Sequence, residues 1–215
     1  MKIAIDGPAG SGKSTVARKL SQRLGLPYLN TGLVYRAFAY IYREEGLENP
    51  MLLFENPPLV EILPAETRVF YRGKDISQLL GSEDVGKTAS EIASLPAFRE
   101  RINEFFRSLV GEGQVVAEGR DVGTHIFPDA PIKIFLTASV EERARRRCEQ
   151  LMAQGIPANY QEVLKAIVER DERDKNRPLY PFRPAEDAIV IDTTNLSPEE
   201  VVEKILSLFP YKGEP

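Results

Sequence analysis

The chain has 215 residues, 42% of them hydrophobic, and a formal net charge of −4; this length suits one α/β domain with an insertion, able to bury roughly 70% of its unfolded surface. A single cysteine, Cys148, and a single histidine, His125, exclude an internal disulfide and a histidine-rich zinc site and point to a reducing cytoplasmic setting. The N-terminus enters a strand with no secretory signal, no apolar run nears the ~20 residues of a membrane span, and the acidic balance argues against nucleic-acid binding, so attraction for an anion must come from local arginine clusters.

Lys2-Ile3-Ala4-Ile5-Asp6 reads as a buried strand, and Gly7-Pro8-Ala9-Gly10-Ser11-Gly12-Lys13-Ser14 after it has the GxxxxGKS spacing of a phosphate-binding P-loop. Its glycines let the backbone turn N–H groups toward an anion, and the next helix adds unsatisfied donors and a partial positive charge. Lys13 supplies a charge for β/γ oxygens and Ser14 a hydroxyl for Mg²⁺. Gly7 through Ser14, with Thr15, are therefore the expected nucleoside triphosphate contacts.

The first helix runs over about Lys13 to Leu24, with Val16, Ala17, Leu20 and Leu24 on one stripe and Gly25 as its stop. Further strands are predicted at Pro27–Leu29, Gln114–Glu118, Ile132–Leu136 and Ala188–Ile191. Ser139-Val140-Glu141-Glu142 and Ser197-Pro198-Glu199-Glu200 are expected capping boxes. This rhythm predicts an α/β fold of the P-loop NTPase type, a five-stranded parallel sheet with helices on both faces. Between Gly46 and Pro96 the rhythm breaks into proline-rich sequence and a hairpin over Thr67–Ile76 turning at Gly73-Lys74, which reads as an insertion. The tail from Lys212 to Pro215 is expected to fray.

Ligands in such a sheet gather beyond the carboxyl ends of the strands. Glu118 closes its strand in the position of a Walker B carboxylate for Mg²⁺, with Asp6 behind it; an acidic cap on the following turn is the alternative. On a helix, Arg170, Arg173, Asp174 and Arg177 share one face. That face suits a lid that excludes water and neutralises a transferring phosphoryl group, although alternating charge also suits a solvated salt-bridge face. Among Arg143, Arg145, Arg146 and Arg147, most are expected to face solvent, with Ala144, Cys148, Leu151 and Met152 toward the core. Arg143 and Arg147 are the two that could lie against an adenine face.

The P-loop, Thr31-Gly32-Leu33-Val34-Tyr35-Arg36, Glu118-Gly119-Arg120-Asp121-Val122-Gly123-Thr124 and the arginine-rich tract, in this order, make the chain resemble bacterial cytidylate kinases over essentially its full length. The resemblance implies a nucleoside monophosphate kinase fold that moves the γ-phosphoryl of ATP onto CMP or dCMP with Mg²⁺, in a monomer. It implies a core of about 1–45, 96–150 and 185–210, a monophosphate-binding insertion at 46–95 and a helical lid at 153–180. Thr31, Arg36 and Arg120 resemble acceptor-phosphate contacts, and Ser90, Arg99 and Asp121 resemble cytosine readers. Arg170, Asp174 and Arg177 resemble ribose and phosphate contacts, and Arg173 a lid residue reaching ATP. Lys13, Arg120, Arg173 and Arg177 would then carry catalysis. Asn30 and Glu118 stand where the family commonly has aspartate. No DGFPR segment of an AMP site and no NKxD guanine reader occurs in the chain, which sets adenylate kinases and GTPase switches aside. A non-catalytic nucleotide-binding regulator would leave the arginine tract without a role.

Overall fold

Five short apolar runs become the strands of one parallel sheet in the computed structural model, which describes residues 1–209. The expected fraying tail lies outside the described residues. In chain order the elements are β1 (Lys2–Asp6), α1 (Lys13–Leu24), β2 (Tyr28–Asn30), α2 (Thr31–Glu44), β3 (Leu59–Leu63), β4 (Glu66–Tyr71), β5 (Lys74–Asp75), α3 (Glu83–Ala93), α4 (Pro96–Val110), β6 (Val115–Gly119), β7 (Ile132–Thr137), α5 (Val140–Ala153), α6 (Tyr160–Lys175), β8 (Ile189–Asp192) and α7 (Pro198–Leu206). The sheet order is β2-β6-β1-β7-β8. Pairing Asp6 with both Gly119 and Phe135 puts β1 at the centre and brings the carboxyl ends of β1, β6 and β7 to one edge. This is the predicted α/β architecture. Each predicted strand is present, with ends displaced by at most a residue or two.

Both faces of the sheet are dry. On one, Val16, Ala17 and Leu20 of α1 pack with Val201, Val202 and Ile205 of α7 against Ile3, Ile5 and Ile134. On the other, α2 and α4 supply Phe38, Phe98, Ile102 and Phe106, which join Ala4, Val115 and Ala117. Phe38 meets Phe98 and Phe105 edge to face at 5.8 and 5.5 Å, and Phe54 at 5.2 Å, geometries that add to simple burial.

Three local expectations change. The proline-rich stretch contains β3, which pairs antiparallel with β4 to give a three-stranded sheet with β5. Pro57-Pro58 and Pro64 bracket that strand without interrupting it. Ser197 and Glu200 form the full capping box. At Ser139 only half a box exists: its side chain accepts from the Glu142 N–H at 3.2 Å, while the Glu142 carboxylate turns to Arg145 and Arg146. Two strong guanidinium donors outcompete one backbone N–H. The third is the α6 face. The helix ends at Lys175 with Asn176 as its cap, so Arg177 stands beyond it and shares no helical face with Arg170 and Arg173.

Replacing Phe38 by Ala should lower unfolding free energy by about 3–5 kcal/mol, because the surrounding rings cannot collapse into the space. Chemical denaturation of the two proteins would measure the difference.

Candidate active site

The phosphate loop is held from outside by its carbonyls. Arg143 and Arg146 of α5 and Thr193 after β8 donate to the carbonyl oxygens of Ala9 (3.4 Å), Gly10 (3.3 Å) and Ser11 (3.0 Å) respectively. Three consecutive carbonyls are thus engaged by side chains, and within the loop the Ser11 N–H donates to the Pro8 carbonyl at 3.3 Å. Gly10 makes this possible. Its φ is +76°, and a Cβ there would lie 2.9 Å from the Arg143 carbonyl oxygen and 3.0 Å from the Arg143 Cβ.

Asp6 plays the corresponding part for the loop after β6. Its two carboxylate oxygens accept the N–H groups of Val122 (2.9 Å) and Gly123 (2.8 Å), holding a single π turn over Val122–Ile126. Burial pushes the Asp6 carboxyl up to about 7, against the opposing pull of those two donors. Asp6 thus joins the end of β1 to the Arg120-Asp121 segment and is saturated by backbone. Glu118 is also buried, and one oxygen accepts the Tyr28 hydroxyl at 2.7 Å. Thr31 spends its hydroxyl on the Glu118 carbonyl at 2.7 Å, where β6 and α2 approach so closely that a side chain on Gly119 would strike it. Asn30 accepts from the Leu33 N–H at 2.9 Å as the N-cap of α2, work that an amide does as well as a carboxylate.

The cations gather in the cleft opposite. Burial, with Arg120 and Arg170 alongside, lowers Lys13 to about 8; its Nζ folds back on the Pro8 carbonyl at 3.3 Å. Burial, with Arg170 and Arg177 alongside, lowers Arg120 to about 9. Arg170 is depressed by burial and by Arg36, Arg177 and Arg173, and Arg36 by burial and by Arg147. Residues from α1, α2, β6, α5 and α6 therefore press like charges into one space. Carboxylates keep them in place. Asp174, almost fully buried, takes Arg120 on one oxygen and Arg177 on the other, the latter at 2.6 Å. Asp171 takes Arg143 bidentately at 2.6 and 3.2 Å.

Arg99 and Asp121 form a second, buried pair at 2.7 Å, with Arg99 Nε on the Ala93 carbonyl at 2.9 Å. Beside them the Tyr35 hydroxyl is buried without a partner, and burial raises it above the ordinary tyrosine range. Ser90 is exposed one turn before Ala93 on α3. Arg36 donates to the Leu80 and Ser82 carbonyls at 3.0 and 3.2 Å, tying α2 to the start of α3. Arg173 is exposed and donates to the Glu169 carbonyl at 3.4 Å, and Ser14 and Thr15 are exposed on the first turn of α1.

Several residues around this cleft escaped sequence reasoning. The expectation that most α5 arginines face solvent holds for Arg145 and Arg147, but Arg143 is buried and Arg146 half-buried, while Met152 is 58% exposed. Guanidiniums can enter that face because Ala9, Gly10, Ala138 and Thr193 offer carbonyl acceptors there. Thr193 carries no motif of its own, Asp171 lies within the arginine-rich tract with no role assigned from sequence, and Asp6, read behind Glu118, spends its two oxygens on the Val122 and Gly123 N–H groups. Tyr35 sits inside the Thr31–Arg36 motif and could have been read from it.

The sequence profile of the cytidylate kinase family matches residues 3–211. The chain belongs to the cytidylate kinase family. That family phosphorylates CMP and dCMP with ATP. The chain is similar to a protein of Aquifex aeolicus named cytidylate kinase, 53% identical over 219 residues that span 100% of this chain and 98% of the relative. A cytidylate kinase of Carboxydothermus hydrogenoformans is 42% identical, covering 100% of this chain and 99% of its own. Among solved structures, an uncharacterized protein from Eubacterium ventriosum superposes with a TM-score of 0.53 at 18% identity, covering 96% of each chain, a likeness of fold alone.

Because Arg146 joins Gly10 to Thr193, Arg146→Ala should loosen the phosphate loop and raise KM for ATP by about tenfold, the loss of one charge-assisted contact. KM for CMP should change far less, and steady-state kinetics with each substrate varied in turn would show the split.

Proposed function

We propose that this cleft transfers the γ-phosphoryl group of ATP to CMP or dCMP by in-line attack of an acceptor phosphate oxygen, giving ADP and CDP or dCDP, in a cytoplasmic enzyme that works as a monomer. The observation that carries this reading is the gathering of buried cations near the P-loop: burial first, and neighbouring cations after it, lower the proton affinity of Lys13, Arg36, Arg120, Arg170 and Arg177. Cations crowded at a P-loop are relieved by polyanions, and two phosphate chains brought end to end supply the charge this cluster lacks.

The phosphate loop, Gly7 to Thr15, and Lys13 grip the triphosphate. Arg36 and Arg120, with Thr31 nearby, orient the acceptor phosphate. Arg170, Arg173 and Arg177 arrive with the lid, residues 153–180, and stabilise charge on the transferring group while water is shut out. Segment 46–95 helps to form the acceptor side. Asp121 accepts from the exocyclic amine of cytosine; uracil presents a carbonyl there and meets repulsion, so the sign of one group separates the two bases. Arg99 and Ser90 complete the reading of the base. Asp174 reaches the ribose after Arg120 or Arg177 yields one of its oxygens. Arg143 supports the phosphate loop through the Ala9 carbonyl, and the exposed Arg147 lies against the adenine face. No general base is needed, since the acceptor phosphate has a second pKa of roughly 6.

The donor set suits Mg²⁺. Ser14 offers an exposed hydroxyl, Tyr28 engages only one oxygen of Glu118, and no group of three or more carboxylate, histidine or cysteine ligands occurs among the described residues. That fits an ion held largely by phosphates and water. Ser14, with Glu118 beside it, would hold the ion, which would supply charge neutralisation to the phosphates.

A panel of CMP, dCMP, UMP and AMP in a coupled ADP-release assay tests the reading. CMP and dCMP should be consumed, and Lys13→Ala should lower kcat by about 10²-fold or more; activity on none of the four acceptors, or near wild-type turnover of the variant at saturating substrates, would end it. ATP binding should also depend on pH. Lys13 at about 8 loses its proton above that pH in the free protein, and a bound triphosphate raises it again. Affinity is therefore full below pH 8, falls as pH rises through it, and is accompanied by proton uptake near pH 8.5. Calorimetry in two buffers of different ionisation enthalpy would detect that uptake, and Lys13→Ala should abolish it.

A further inference from the structure

Past the end of α6 the chain turns back across the cleft as Arg177-Pro178-Leu179-Tyr180-Pro181-Phe182, and its two aromatic rings each meet a guanidinium. Arg99 lies 5.7 Å from the Tyr180 ring centroid and 5.7 Å from that of Tyr35, within cation–π reach of both tyrosines. Arg120 lies 5.4 Å from the Phe182 ring. Neither ring is placed casually. Tyr180 has φ +58°, a left-handed conformation that costs a non-glycine residue energy and persists where its surroundings fix it. Its edge meets His125 at 4.5 Å between ring centroids. It also forms a wall shared by two recesses, one of about 150 Å³ bounded by Ala93, Pro96, Arg99 and Arg177, the other of about 210 Å³ bounded by Asn103, Arg107 and His125. Phe182 packs on Phe135 of β7 at 5.4 Å, and its N–H donates to the carbonyl of Asp174 at 2.9 Å.

We infer that Tyr180 and Phe182 form an aromatic clamp that positions the two arginines serving the acceptor, Tyr180 acting on the base side through Arg99 and Phe182 on the phosphate side through Arg120. The inference rests on the assignment of Arg99 and Arg120 in the proposed function. Both are positioning residues. Cation–π attraction to two rings, added to the hydrogen bonds to the Ala93 carbonyl and Asp121, restricts the positions open to the Arg99 guanidinium. Because the clamp follows directly on Arg177, closure of the lid brings the rings and the phosphate-facing arginine together.

The two rings predict different kinetic signatures. Tyr180→Ala and Tyr180→Gly should raise KM for CMP by about two- to thirtyfold, the range of a stacked cation lost from a partly buried site, and should lower the ratio of kcat/KM for CMP over UMP. Glycine is at ease at that φ, so a loss in Tyr180→Gly belongs to the ring and not to backbone strain. Tyr180→Phe should restore both quantities. Phe182→Ala should raise KM for CMP and UMP alike and leave their ratio unchanged. KM for ATP should hold in every variant, with thermal melting confirming the fold. Unchanged acceptor kinetics in Tyr180→Gly and Phe182→Ala, or a loss spread equally over ATP and acceptor, would overturn the clamp. Arg99→Ala and Arg120→Ala separate the two levels: if they lose CMP use while the ring variants do not, the clamp alone has failed. If they too leave CMP kinetics untouched, the assignment beneath has failed with it.

Discussion

Like charges forced together govern this structure. Lys13, Arg36 and Arg170 stand on three helices and Arg120 and Arg177 on two turns, yet burial, and after it neighbouring cations, depresses the proton affinity of each. Such a cluster persists without its anions only if something else opposes the repulsion. Asp174 and Asp171 do so from α6, the first by bridging Arg120 and Arg177 and the second by holding Arg143. A buried ion pair gains little net stability once both charges are desolvated. Its value here is positional, since removing either carboxylate would leave guanidiniums crowded and unpaired.

The same carboxylates join parts of the molecule that are far apart in sequence. Arg143 contacts Asp171 on α6 and the Ala9 carbonyl of the P-loop, so one side chain links the helix to the loop. Asp6 extends the arrangement to β6, because its two oxygens hold the backbone that presents Arg120 and Asp121. The P-loop, α6 and the Arg120-Asp121 segment are thus tied by short polar links laid on a parallel sheet. This is a physical route by which filling one half of the cleft can favour the other.

Much of the architecture was readable from local pattern. The run from Lys2 to Asp6, the GxxxxGKS spacing and the stripe through Val16, Ala17 and Leu20 declare strand, loop and helix because each depends on neighbours close in sequence. The strand at Leu59–Leu63 did not stand out, since its flanking prolines are the strongest local signal there and its partner is found only across a turn. Arg177 was misplaced for a related reason: helical spacing continues on paper past Lys175, whereas the real helix stops where Asn176 caps it.

The sequence alone determined the fold class, the phosphate loop and the presence of enough arginines to meet a second anion, because these follow from periodicity, from a contiguous motif and from composition. Tertiary structure alone decided which arginines matter and how. Arg143 and Arg146 became supports of the loop, Arg99 came within reach of two tyrosine rings while pairing with Asp121, and Asp6 became a brace for a distant turn. A charged side chain is placed by the acceptors and rings that surround it, and those come from residues far away in the chain, which no window of sequence contains.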